Sequence, residues 1–552
     1  MIRSRPEISP FTAFSGAALS SAIIYLSFQP RNLSWTLAFF AFVPLLAVTR
    51  KCRSLYSACG LGLFSGFAFY YIELYWITNS IAGFTSLPPI VVTLVMALLA
   101  LYMGLYWAIF CGTWYYLNHL SARRQPSATR ILTAFAGAAI WLLLEDLRTR
   151  FLGGFPWHPL GLTQIDNLYL NWLLPLGGVR LLSSLVIIAN IGIYLSCSAI
   201  CRKEFKRLAL YGGLILLPLI GLAFFGSPLS QPPNLPPAAA NSVPQIISED
   251  NQGELKTIVI IQPNIPQKEK WRPENREKII KKMLAMSRES LSRKPDLIVW
   301  PEAALPLLLE QQPTVLDQLR QFVAENRVSL MLGSPRLLGS ADKPKKVLYN
   351  SIFLISPENR LQIYNKIKLV PYGEFTPLAS LFPFISKIVP GLSYSPGNKP
   401  HNFTLKNLKI APSVCFEGVF PAFSAGFFAA GADLLINLTN DAWFGDSPGP
   451  RQHLTNIRLR ALENHCTIIR CANTGISAII KPDGKIEQHL PLNQEGILAA
   501  AISFPRTRQA TFFARHRHLP TYLAGLYLLL FLGKIIITRR IRRRVLNSII
   551  NS

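Results

Sequence analysis

The chain has 552 residues, 50% of them hydrophobic and 15% charged, against about 25% charged in an ordinary soluble domain. With a mean hydropathy of +0.29, it is neither a disordered chain, nor a collagen-like or coiled-coil rod, nor a simple soluble enzyme. Its 56 Lys and Arg against 29 Asp and Glu give a net charge of +27, which in so apolar a chain reads first as membrane topology and only then as nucleic-acid binding.

A bilayer core takes about 20 apolar residues to cross as a helix. Spans are predicted at 11–28, 34–49, 55–77, 89–118, 131–147, 181–200, 208–226 and 521–538. Residues 1–226 thus hold seven expected spans, and 507–552 hold a final span and a basic tail. No A-x-A site clearly ends the first apolar run, which favours a retained anchor over a cleaved signal peptide. Basic residues alternate between loops: Arg50, Lys51 and Arg53 follow the second span, Arg123, Arg124 and Arg130 the fourth, and Arg202, Lys203, Lys206 and Arg207 the sixth. The loop 78–88 has none, and Arg539–Arg544 follows the last span with five arginines. This asymmetry places both termini in the cytoplasm and 227–520 outside.

Residues 227–256 read as a linker, because their prolines block both helix and central strand. Beyond them, short β-branched runs (257–262, 296–300, 329–332, 351–355, 408–414, 433–438, 467–471) alternate with helical stretches (273–292, 313–326, 419–430, 451–465). That alternation predicts an α/β domain over 257–506.

Three residues stand where α/β folds place ligands, at or near strand ends. Asp296–Trp300 runs into Pro301-Glu302, so Glu302 projects from a strand end or serves a following helix turn. The strand 408–414 ends in Cys415-Phe416-Glu417-Gly418, an elbow where helix N–H groups would lower a thiol pKa and make a nucleophile. Lys366 lies in an apolar loop that also holds Lys368 and Glu374. The eight cysteines form no CxxC pair. Cys466, Cys471, His453 and His465 fit no usual metal spacing, so neither metal nor cofactor is expected.

Taken in order, the Trp-Pro-Glu strand end, the Lys366-x-x-Leu-Val-Pro-x-Gly-Glu loop and the Cys415-x-Glu elbow resemble the Glu-Lys-Cys triad of the nitrilase superfamily. With seven spans before it and one after, the chain resembles the membrane-embedded branch of that superfamily, the bacterial apolipoprotein N-acyltransferases. The match continues through Gln262–Ile265, Lys270-Trp271, Asn440–Asp446, Gln452-His453, Arg458, Arg460–Glu463 and Asn473–Gly475. It departs at Phe416, where this family often has tyrosine, and at Lys368, where another polar residue is expected.

The resemblance implies an αββα sandwich outside a cell inner membrane. It implies an acyl chain passing from a phospholipid, through a Cys415 thioester, to the α-amine of diacylglyceryl-cysteine in an apolipoprotein. Cys415 is then the nucleophile, Glu302 the general base and Lys366 the oxyanion partner. Glu374 orients Lys366, Glu417 orients the loop, and Trp271 belongs to the matched motif. Trp157 is an interfacial anchor or part of the acyl-chain entrance. The stretch 375–397 carries four prolines and apolar residues including Phe382 and Phe384. It reads as an interfacial lid, or as a loop tucked against its own core. A monomer is expected, and no nucleic-acid partner. The competing readings are a membrane-anchored amidase of small amides, which needs only one span, and a transporter or scaffold with an inert outer domain.

Overall fold

The computed structural model describes residues 8–30, 33–85, 87–120, 126–225, 245–248, 254–339, 346–376, 394–504 and 508–550. Among the described residues, six helices are long and apolar enough to cross a membrane: Pro10–Ser27, Leu55–Glu73, Pro89–His119, Ser127–Arg148, Asn171–Cys201 and Leu519–Ile541. The helix Pro89–Leu120 shows how such a sequence divides its faces. Ile90, Leu94, Leu98, Leu101, Leu105 and Ile109 are exposed at three- and four-residue spacing, while Met96, Ala100, Met103 and Trp107 are buried. The buried stripe packs on Leu55–Glu73 where Gly62 lets the backbones meet: a Cβ there would lie 2.5 Å from the Trp107 carbonyl oxygen.

A helix Phe205–Phe225 coincides with the seventh expected span. The second expected span, 34–49, is not one helix but two, Ser34–Leu37 and Val43–Arg50. The break is stabilised from far along the chain. The buried Asn190 side chain donates to the Ala38 carbonyl and accepts from the Phe42 N–H, both at 2.8 Å. Ser20 accepts from the Leu45 N–H at 2.9 Å. Backbone groups freed by the break therefore keep partners inside an apolar bundle, as they must.

The remainder is a two-sheet sandwich. Its strands are β1 (Gln245–Ser248), β2 (Glu254–Gln262), β3 (Leu297–Val299), β4 (Ser329–Leu338), β5 (Val347–Ile355), β6 (Leu361–Asn365), β7 (Phe403–Leu405), β8 (Leu408–Val414), β9 (Leu434–Thr439), β10 (Ile468–Ala472), β11 (Ser477–Ile480), β12 (Ile486–Leu490) and β13 (Gly496–Phe504). One sheet runs β1-β13-β2-β3-β4-β5-β6 and the other β12-β11-β10-β9-β8-β7. The strand β1 and the start of β2 fall inside the stretch read as linker. There Gln-Ile-Ile-Ser, clear of the proline cluster, pairs in parallel with β13.

Side-chain alternation builds the layers. Ile258 and Ile260 of β2 enter the core between the sheets with Val299 and Ile410. Val259 and Ile261 turn the other way, into a core with Met283, Leu319 and Val323 of the helices Arg276–Ser290 and Pro313–Asn326. Helices Pro421–Ala429 and Gly449–Asn464 contribute Ala425, Phe428, Ile457 and Ala461 to the second sheet's core. The result is an αββα sandwich. It is seated on the bundle: Phe416, Val419 and Phe420, just past β8, belong to the same apolar cluster as Trp76, Trp107 and Trp157. Gly178 completes the seam. At φ +66 it breaks the helix Leu174–Cys201, and a Cβ there would lie 2.5 Å from the Phe513 ring. The Val179 N–H beside this break donates to Glu463 at 2.9 Å.

Candidate active site

The elbow after β8 is strained and over-determined. Cys415 has φ +50, a left-handed backbone that non-glycine residues rarely adopt. Its carbonyl accepts from Asn437 Nδ2 at 3.1 Å and from His453 Nε2 at 3.3 Å. Glu417 folds back beneath it and accepts from the N–H groups of Val414 (2.8 Å), Ile367 (2.6 Å) and Lys368 (3.1 Å) and from the Tyr364 hydroxyl (2.8 Å). One buried carboxylate thus ties the strand leading to Lys366 onto the turn carrying Cys415. Burial raises this carboxyl to about 7, against the pull of those donors.

Glu302 follows β3 and is clamped at both oxygens. Asn350 Nδ2 donates to Oε1 and the Asn440 N–H to Oε2, each at 2.8 Å. Lys366 Nζ lies 3.7 Å from Glu302 and 2.8 Å from Glu374. Glu374 also accepts from the same Asn350 nitrogen at 2.9 Å and from the Val370 N–H at 2.8 Å. The buried Lys270 ammonium donates to the Glu302 main-chain carbonyl at 2.9 Å. Two carboxylates and two ammonium groups therefore share one dry site, and their coupling sets its protonation. Burial pushes the Glu302 carboxyl up, Lys366 opposes it and Glu374 adds to it. Burial alone would lower Lys366, yet Glu374 and Glu302 hold it well above the usual lysine value. Lys270 is pulled down to about 8 by burial, against the attraction of Glu302.

The thiol departs from the sequence expectation. Burial first, and then the Glu302 charge, push Cys415 well above the ordinary thiol range, with Lys366 opposing. The element that follows is a single five-residue turn, Cys415–Val419, too short to supply the expected helix field. Burial and the Glu302 charge thus favour the thiol form of Cys415, and burial also raises the proton affinity of the Glu302 carboxyl.

A second group of buried residues braces the elbow. Asp441, after β9, accepts from Arg470 and from the Thr439 hydroxyl, and its oxygen lies 3.1 Å from His453 Nδ1. Arg470 and His453 hold this carboxyl well below its usual range in spite of burial. A carbonyl can only accept, so His453 Nε2 carries the proton toward Cys415, and Nδ1 lies 3.2 Å from Arg470. Cys415, Asp441 and His453 place one donor atom each within 4.8 Å of one another. The Arg470 guanidinium, which bonds Asp441 and lies 3.2 Å from His453 in that group, repels a cation there. In the sequence Asn440-Asp441, Gln452-His453 and Lys270 stand in the matching motifs without a role of their own, and nothing local to Asn350 marks it.

The other expected site residues divide. Trp157 is buried, not an exposed interfacial anchor, and its ring lies 6.5 Å from Phe416 and 5.8 Å from His453. The hydroxyl-free Phe416 stacks on Phe155 and meets Phe420 edge-on. Lys368 sits over the Phe420 ring at 5.4 Å. Trp271 follows Gln267–Lys270 and is half-buried. Phe382 and Phe384, the expected lid residues, lie outside the described residues.

Comparison with known proteins matches both halves of the chain. Residues 257–512 match the family described as carbon-nitrogen hydrolase, and residues 20–192 the apolipoprotein N-acyltransferase N-terminal domain. A protein of Geobacter metallireducens named apolipoprotein N-acyltransferase is 34% identical over 490 residues, 87% of this chain and 88% of its own length. One of the same name from Azotobacter vinelandii is 33% identical over 544 residues, 96% of this chain and 95% of that one. Among solved structures, an amidase from Nesterenkonia sp. is 16% identical with a TM-score of 0.36, covering 49% of this chain and 96% of its own.

Proposed function

The chain belongs to the apolipoprotein N-acyltransferase family, and from that premise we propose that it moves an acyl chain from a phospholipid to the N-terminal α-amine of a diacylglyceryl-cysteine apolipoprotein. The observation that carries the reading is that the turn of Cys415, which interacts electrostatically with Glu302 and Lys366, packs on the same apolar cluster as Trp76 and Trp157 of the membrane half. An amidase of small amides needs only the sandwich, whereas the relatives match across the bundle as well.

In the first half-reaction the Cys415 thiol attacks the phospholipid ester carbonyl while Glu302 takes the thiol proton. The raised thiol makes that base necessary, and the raised Glu302 makes it able. The carbonyl oxygen gains charge in front of the Lys366 ammonium, which Glu374 holds in place. The ester C–O bond then breaks, Glu302 returns the proton to the leaving alkoxide, and a lysophospholipid departs. In the second half-reaction the lipoprotein α-amine attacks the thioester. Glu302 takes the amine proton and passes it to the departing sulfur, so each half-reaction ends with the base ionised again. Asp441, Arg470 and His453 hold the elbow while the acyl carbonyl passes through its tetrahedral form. Water must stay away from the thioester, and the apolar packing of Phe416, Val419 and Phe420 on the bundle supports that role.

The proposed organisation is residues 1–226 as membrane helices, 257–506 as the catalytic sandwich on the extracytoplasmic side of the inner membrane, and both termini in the cytoplasm. The loop charges support this topology, and a monomer is the proposed state. Mass spectrometry of a lipoprotein N-terminus from cells with and without this protein tests the function. Triacylated cysteine only in the presence of the protein supports it, and unchanged N-termini contradict it.

A further inference from the structure

One side chain joins the two halves of the molecule next to the reactive cysteine. Gln452 lies on the helix Gly449–Asn464 of the sandwich. Its Oε1 accepts from the indole N–H groups of Trp76 at 2.8 Å and Trp157 at 3.0 Å. Its Nε2 donates to the Glu73 carbonyl at 3.1 Å and to the Glu73 carboxylate at 2.9 Å. Both acceptor positions and both N–H groups are used, and every partner belongs to the membrane half. The amide cannot be turned over, because indoles only donate and the Glu73 main-chain carbonyl only accepts. The next residue, His453, donates to the Cys415 carbonyl. The Trp157 ring lies against both His453 and Phe416, and the Trp76 ring lies 4.7 Å from Phe444. Gly449 makes the approach possible, since a Cβ there would meet the Trp76 ring at 2.8 Å.

We infer that Gln452 is a positioning residue that sets Cys415 in register with the membrane domain through the indole pair Trp76 and Trp157. The inference rests on the acyltransferase reading above. A lipid ester held by the bundle must meet a thiol held by the sandwich, and a misplacement of about 1 Å at such a junction lowers a rate about 10²-fold. A small soluble reagent needs no such register.

The test compares Gln452→Ala, Gln452→Glu and the exchange Glu73→Gln with Gln452→Glu in detergent-solubilised full-length protein. Two rates are measured on each: acylation of Cys415 by phospholipid, and alkylation of Cys415 by iodoacetamide. In Gln452→Glu two carboxyl groups face each other, whereas the exchange restores the donor–acceptor pair between the two side chains with the total charge unchanged and forgoes only the bond to the residue-73 main-chain carbonyl. Expected are acylation rates lower by about 10- to 100-fold in both single variants, a gain of at least about threefold over Gln452→Glu in the exchange, and wild-type alkylation throughout. Acylation and alkylation falling together would mean a merely structural residue, and unchanged acylation in Gln452→Ala or no recovery in a folded exchange variant would equally overturn the inference. A wild-type protein that alkylates at Cys415 but takes no acyl group would instead sink the underlying reading.

Discussion

Replacing Glu374 with glutamine should change the pH profile of thioester formation as well as its rate. Glu302 and Glu374 bind the same Asn350 nitrogen at 2.8 and 2.9 Å, and Glu374 adds to the rise in the Glu302 carboxyl. Two carboxylates about 5 Å apart in a medium of effective dielectric about 20 repel by about 3 kcal/mol, equivalent to about two pH units. The substituted amide would retain a hydrogen-bonding shape without that charge, and Lys366 would lose its nearer counter-ion and turn toward Glu302, 3.7 Å away. Both changes lower the proton affinity of Glu302. A base works when deprotonated, so the acidic limb of the profile should move down by about one to two pH units. The plateau should fall about 10- to 100-fold, because a weaker base faces a thiol whose proton is held tightly. The assay is single-turnover acylation of Cys415 by phospholipid across pH, followed by mass spectrometry. A limb that stays in place or moves up while the plateau falls would refute the electrostatic coupling.

Further substitutions separate the roles. Cys415→Ala should abolish transfer while the melting profile stays near wild type. Glu302→Gln should block thioester formation, read as no acyl adduct after incubation with phospholipid; normal acylation would remove it as the base. Lys366→Ala should slow both half-reactions by about 10²- to 10³-fold, measured separately as adduct formation and amine transfer. Glu417→Leu would leave four donors without their acceptor and should destabilise the sandwich by about 2–4 kcal/mol in thermal denaturation. Asn190→Leu should lower the stability of the bundle by about 1–3 kcal/mol, because the Ala38 and Phe42 backbone groups lose their partner; a melting profile at wild-type values would contradict that account.

The strands β3, β8, β9 and β10 were legible because each is a short β-branched run that a sandwich core buries on both faces. The strand β13 was not, since Gly-Ile-Leu-Ala-Ala-Ala-Ile-Ser-Phe lacks the β-branched density that separates a buried strand from a helix. Span two read as continuous because its break is held by Asn190, and no local window contains that partner. Glu302, Lys366 and Cys415 could be picked out by their strand-end positions and motifs. The direction of the thiol's shift could not, because it comes from burial and from a carboxylate more than a hundred residues away. Trp157 shows the same limit: its aromatic loop was visible, but not its burial against Phe416 and His453.

The most direct test of the central claim is intact-protein and peptide mass spectrometry of the purified chain after incubation with phospholipid and no acceptor. The account predicts a single acyl adduct on the peptide containing Cys415, released by an amine with recovery of the free thiol. An adduct on the buried Cys466 or Cys471, or turnover to acylated acceptor with no adduct at Cys415 at any time, would contradict it.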